Sequence, residues 1–257
     1  MISGSEHTLI WLCGAAFAAG MTDAIVGGGG LIQLPALLIL LPSAAVPSVM
    51  GTNKLSSIFG TSAAALAYSR RVTIDWPVTI AAASSAFVLA MLGALAVTHF
   101  NPSGVKPFIL VVLIAMAFFT FLHRDFGTMS SERVQGAARL WRSVLIGAAL
   151  GFYDGFVGPG TGTVLIFLFI GAIGMDFLNS SATAKIVNVA TNLAALIYFG
   201  ATGHILYAYA IPMAGCNIIG GITGANLTIA RGNRFVRVFF LVMIVAIIAR
   251  FAYDVVR

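Results

Sequence analysis

The sequence predicts an all-α membrane protein built from two inverted repeats, each a glycine-broken helical hairpin followed by three transmembrane helices. Three observations lead there. The first is the solvent that the composition demands: mean hydropathy is +1.01, and 60% of residues are hydrophobic against 9% charged. A soluble domain carries about a quarter of its residues charged. The second is internal repetition. Asp154 follows Asp23 by 131 positions (154 − 23), and the same ungapped offset takes Thr52 to Thr183, Lys54 to Lys185, Ile74 to Ile205, Gly93 to Gly224, Lys106 to Arg237 and Phe108 to Phe239. The two copies fill nearly the whole chain. The third is a glycine break in each copy, Gly27 to Gly30 after Asp23, and Gly158, Gly160 and Gly162 after Asp154. Each such glycine costs about 1 kcal/mol relative to Ala in a helix interior, so the breaks put backbone where a regular helix cannot.

Along the chain, the apolar run 9–26 lacks the basic leader of a signal peptide, and its internal copy at 144–157 marks it as mature structure. After the first break comes 31–41, stopped by Pro42; its copy 163–173 is stopped by Gly174. At about 1.5 Å per residue these short runs reach roughly 16 Å, too little for a ~30 Å hydrocarbon core. Each therefore pairs with the run before it as a helical hairpin, re-entrant in the bilayer. Three long spans follow in each half: 46–68, 76–98 and 105–122, then 177–199, 205–229 and 236–255. The expected division is residues 1–123 for the first repeat, 124–142 for a polar linker and 143–257 for the second repeat.

A hairpin that enters and leaves on one side gives each half odd crossing parity, so the second half is expected to be inverted. Arg70, Arg71, the linker, Arg231, Arg234 and Arg237 then share one face. That face is expected to be cytoplasmic, because short basic loops stay inside. The loops 100–104 and 200–204, without Lys or Arg, and both termini take the other face. The pI near 9.8 thus reflects membrane topology; the scattered short clusters give no nucleic-acid surface.

Within the apolar runs the ionisable residues are Asp23, Lys54, Asp154 and Lys185, besides Arg250 near a span end, from which it can snorkel. Left unpaired, these four would cost on the order of 10 kcal/mol in total. Lys185, Asn188 and Asn192 stand at i, i+3 and i+7 on one helix face, and Lys54, Ser57 and Thr61 repeat that stripe, with Asn53 beside it. The glycine breaks expose amides at the starts of the short helices, where the dipole favours anions. The expected binding set for a small oxyanion is therefore Lys54, Lys185, Asn53, Asn188 and Asn192, with the backbone around Gly28, Gly29, Gly30, Gly160, Thr161 and Gly162. Asp23 and Asp154 would repel such a substrate. Two roles remain open for them: a salt bridge to a lysine that holds the hairpin shut, or uptake of a coupling proton.

The stretches GMTDAIVGGGGLIQLP with GTNKL, and GFYDGFVGPGTGT with ATAKIVNVATNLAAL, resemble the TauE/SafE sulfite exporter family over almost the full chain. The resemblance implies a permease of the bacterial inner membrane with two inverted halves, moving sulfite or organosulfur anions of the sulfonate and thiosulfate class, often outward. It does not select one sulfur anion.

Enzyme chemistry has no support: the four histidines sit at segment edges, and neither H-E-x-x-H, G-x-S-x-G nor a complete Walker phosphate loop is present. Cys13 and Cys216 lie in apolar runs as packing residues. No cofactor or metal site is expected. The expected activity is secondary transport by alternating access at a midplane site, with export as the expected direction; a passive anion channel with the same lining is the alternative. The expected partners are a small sulfur-containing anion, the lipid bilayer and a coupling proton, with the protein a monomer or a homodimer.

Overall fold

The computed structural model describes the backbone of residues 2–99 and 136–256, and side chains for 6–99, 136–232, 235, 236 and 239. Among the described residues the fold is helical, without strands. Helices α1 (Ile2–Val26) and α2 (Gly30–Leu40) form the first hairpin, and α3 (Val46–Ser69) and α4 (Trp76–His99) follow. Helices α5 (Ala137–Phe156) and α6 (Thr161–Leu168), with a π-turn at Phe169–Ile173, form the second hairpin; α7 (Phe177–Ala201) and α8 (Tyr207–Val256) complete the chain. Gly232, at φ 64 and ψ −164, interrupts α8 and separates a membrane-length span, Tyr207–Gly232, from the terminal helix. Among the described residues, four helices are long and apolar enough to cross a bilayer, namely Glu6–Val26, Trp76–His99, Phe177–Ala201 and Tyr207–Gly232. The expected span 105–122 and loop 100–104 lie outside the described residues, as does most of the expected linker. Helix α5 begins at Ala137, so Arg139 and Arg142 ride on its first turns and not in a connecting segment.

Local chemistry sets these boundaries. Asp176 caps α7 by accepting a hydrogen bond from the Asn179 amide at 2.9 Å. Pro47 stands in the first turn of α3, where its missing N–H costs nothing. The breaks after α1 and α5 turn on Gly27 (φ 82) and Gly158 (φ 91), positions 131 apart that share the left-handed conformation glycine adopts without strain. The sequence repeat thus extends to backbone torsions.

Small residues hold the long helices together. Gly147, Gly151 and Gly155 of α5 lie against the backbone of Ala82, Ala86 and Ala90 of α4, so close that a Cβ would overlap the facing carbonyls. Gly220 and Gly224 of α8 meet Phe17 and Met21 of α1 in the same way. Between membrane helices there is little hydrophobic drive, so close backbone contact supplies the packing energy. In both pairs the residue numbers rise together, so α5 runs parallel to α4 and α1 parallel to α8.

Side-chain bonds locate the ends of the bundle. Arg139 pairs with Asp75 at 2.8 Å, Arg142 donates to the Ala172 carbonyl at 3.0 Å, and Thr79 meets Thr183 at 3.2 Å. The starts of α4, α5 and α7 and the close of the second hairpin therefore share one end. Thr52 accepts from the Leu206 amide at 3.0 Å, and Thr98 bonds Tyr198 at 2.7 Å. That places the starts of α3 and α8 and the ends of α4 and α7 at the other end. Because α1 runs parallel to α8 and α2 leads into α3, the first hairpin opens to this second end. Exposed aromatics mark both ends: Trp76 and Trp141 at the first, Trp11 and Tyr207 at the second, as in the aromatic belts of bilayer interfaces.

Candidate functional site

The two glycine breaks meet in the middle of the molecule. Gly27 packs on the backbone of Gly162 and Thr163, Gly30 faces Pro159, and the Thr163 hydroxyl donates to the Val26 carbonyl at 2.8 Å. The starts of α2 and α6 thus approach each other from opposite halves. Gly29, Gly30 and Gly162 find no backbone acceptor for their amides among the described residues. Two positive helix ends therefore converge on one place.

A cavity opens there, lined by Ala19, Asp23, Gly27, Gly29, Gly30, Asn53, Lys54, Ser57, Thr61, Asp154, Gly158, Thr161, Gly162, Asn188, Asn192 and Asn217. Its volume is ≈ 40 Å³, above the roughly 10–15 Å³ that one water needs. The amide oxygens of Asn53 and Asn188 are buried on its wall without a hydrogen-bond partner. A buried amide oxygen left unpaired costs about 1–3 kcal/mol unless a donor such as water meets it.

The four charges form crossed pairs between the halves. Lys54 of α3 bonds Asp154 of α5 at 2.7 Å, and Lys185 of α7 lies 3.1 Å from Asp23 of α1. Asp23 also accepts from the Thr61 hydroxyl at 3.2 Å. Each lysine is therefore neutralised by the carboxylate of the opposite repeat, and the four groups sum to zero charge. The second contact is an ion pair short of hydrogen-bond geometry, since Lys185 Nζ lacks a well-aligned acceptor.

Of the residues expected at the site, Lys54, Asn53, Asn188, Asn192, Gly29, Gly30, Thr161, Gly162, Asp23 and Asp154 line the cavity. Three do not. Lys185 is fully buried behind Asp23, Gly28 accepts from Leu31 in the turn, and Gly160 serves as the left-handed cap of α6 at φ 79. Sequence reasoning missed Asn217 and Gln33. Asn217 Nδ2 donates to Gln33 Oε1 at 2.7 Å, and Gln33 Nε2 donates to the Asn53 carbonyl at 3.3 Å. Both are amides inside apolar runs, which was the available signal, but neither has a polar counterpart 131 positions away (Ala86 and Val164). Asn217→Ala would leave Gln33 Oε1 with only the 3.5 Å contact from Ser56. A loss of about 1–3 kcal/mol is expected, read as a lowered melting temperature of the purified protein.

Comparison with known proteins gives the family. Residues 12–251 match the family described as Sulfite exporter TauE/SafE. A probable membrane transporter protein, ORF9, of a Sinorhizobium species is 31% identical over 250 residues, covering 96% of this chain and 94% of the relative. A probable membrane transporter protein of Haemophilus influenzae is 30% identical over 256 residues, with 98% and 96% covered. The probable membrane transporter protein YfcA of Escherichia coli K12 is 27% identical over 239 residues, with 93% and 87% covered. No solved structure matches the chain. With the likeness running almost end to end over membrane-length helices, this chain belongs to the TauE/SafE sulfite exporter family, a family of membrane transporters and not of enzymes.

Proposed function

We propose that the protein is a secondary transporter that moves a small sulfur oxyanion, sulfite foremost, by alternating access at the cavity between its halves. The observation that carries this is the meeting of two helix N-termini, with unpaired amides at Gly29, Gly30 and Gly162, around a cavity that Lys54 and the side-chain amides of Asn53, Asn188 and Asn192 also line. Because the two ion pairs cancel, attraction for an anion comes from helix dipoles and amide donors. The small volume favours a compact anion over a long sulfonate such as taurine. In this reading the halves, 1–123 and 143–257 joined through 124–142, are inverted repeats. The support is the exchange of partners, α1 with α8 and α4 with α5, and the opening of the hairpins to opposite ends. The end bearing Arg70, Arg71, Arg139 and Arg142 is assigned to the cytoplasm of a bacterial inner membrane, with the N-terminus opposite. Outward movement of an uncoupled anion gains about 2.3 kcal/mol per 100 mV when the inside is negative, which favours export.

Thermal unfolding of the detergent-purified protein tests the ligand. Sulfite should raise the melting temperature, by an amount equivalent to about 2.7 kcal/mol at one hundred times Kd, with smaller shifts for taurine and chloride. Asn53→Ala and Asn188→Ala should weaken the effect. A wild-type protein indifferent to every sulfur anion would overturn the assignment. Counterflow in proteoliposomes separates carrier from channel: a carrier accelerates labelled uptake when unlabelled sulfite is on the far side, and a pore does not.

A further inference from the structure

We propose that Asp23 is a proton-binding site linked to the anion, so that one proton travels with each substrate; this rests on the anion-site reading above. The two crossed pairs differ. Lys54 and Asp154 are hydrogen-bonded at 2.7 Å with side chains only 4% and 7% exposed. The Lys185–Asp23 pair is longer, at 3.1 Å, and lacks hydrogen-bond alignment, and Asp23 is 17% exposed while Lys185 is fully buried. Asp23 lines the cavity and Lys185 does not. The cavity therefore meets a carboxylate first, with its countercharge hidden behind.

An anion entering this site adds one negative charge to a balanced set. Around Asp23 the facing groups are Lys185 from α7, Thr61, Lys54 and Tyr68 from α3, and Asp154 from α5; α8 presents Asn217, which carries no charge. A proton taken from water onto an Asp23 carboxylate oxygen removes the repulsion and creates an O–H donor toward the substrate. Lys185 keeps its charge and is compensated by the anion in place of the carboxylate. Protonating Asp154 would instead break the hydrogen-bonded pair. Release on the far side returns the proton to water and restores the Lys185–Asp23 contact. A proton accompanying a monoanion cancels the electrical advantage of outward movement, so transport then follows the anion and pH gradients.

Proton uptake by the full-length purified protein, followed with an indicator dye in weak buffer while ligand is added, tests the assignment. Wild type should take up about one more proton per bound sulfite than Asp23→Asn. Its affinity should also fall up to ~10-fold more per pH unit than that of the variant once Asp23 is ionised. Lys54→Gln/Asp154→Asn, which removes the other pair without orphaning a charge, should still take up about one proton for each anion it binds. Asp23→Asn leaves Lys185 buried without its partner, so Asp23→Asn/Lys185→Gln serves as a second variant with no orphaned charge. Methanesulfonate, which carries no proton of its own in this range, should draw about one proton onto wild type. Sulfite or methanesulfonate binding by wild type without extra proton uptake overturns the proton site and leaves the anion site standing. A wild-type protein that binds neither anion at any pH overturns both.

Discussion

Lys54→Met should destabilise the protein by about 3–5 kcal/mol, because it leaves the Asp154 carboxylate buried without its countercharge. The pair is 2.7 Å long, and its side chains are 4% and 7% exposed, so neither solvent nor a second cation on the described residues can replace the lysine. The same logic predicts recovery: Lys54→Met/Asp154→Leu removes both charges, and most of the lost stability should return. Equilibrium unfolding of the two single variants and the double variant gives the interaction energy directly. If the double variant is as unstable as either single one, the pair does more than satisfy its own charges. Anion binding should be weakened in the double variant even where stability returns, because Lys54 lines the cavity.

Gly27→Ala should prevent assembly of the two halves. The residue sits at φ 82, where an L side chain is strained by about 1–3 kcal/mol. Its Cβ would also overlap the backbone of Gly162 and Thr163, which cannot move aside as a flexible side chain would. The expected result is loss of the monodisperse peak in size-exclusion chromatography. Gly14→Ala is the control: it lies within α1 with nothing near the added methyl, and it should match or slightly exceed wild-type stability. Gly158→Ala, at the corresponding break, meets Asp154 and Lys54 Nζ at 3.1–3.2 Å. It carries the same backbone strain at φ 91 but meets no facing backbone from the other half, so it should fold with lowered stability and a loosened Lys54–Asp154 pair.

Several features were legible before any coordinates. The short runs end close to where the sequence places them, at Leu40 and Ile173, because proline, glycine and hydropathy act locally. The polar stripes on α3 and α7 reach the cavity at Ser57, Thr61, Asn188 and Asn192, since a helix fixes which residues share a face. The onset of α5 at Ala137 was harder to place. Arginines signal a polar linker in sequence, yet here Arg139 holds Asp75 and Arg142 holds the Ala172 carbonyl across the bundle end. Asn217 and Gln33 stayed hidden because a repeat-based search favours residues with counterparts, and theirs are Ala86 and Val164.

By itself the sequence determined the solvent, the helical elements, the two glycine breaks and the four intramembrane charges. All of these follow from the bilayer or from contacts within a few residues along the chain. Only the tertiary structure decided which aspartate meets which lysine, that Lys185 stands behind Asp23, and that the two pairs cancel in charge. Those facts depend on which helix faces meet across the two halves, as with Lys54 and Asp154, 100 residues apart. Close backbone packing at small residues makes that choice, and hydropathy and periodicity carry no record of it.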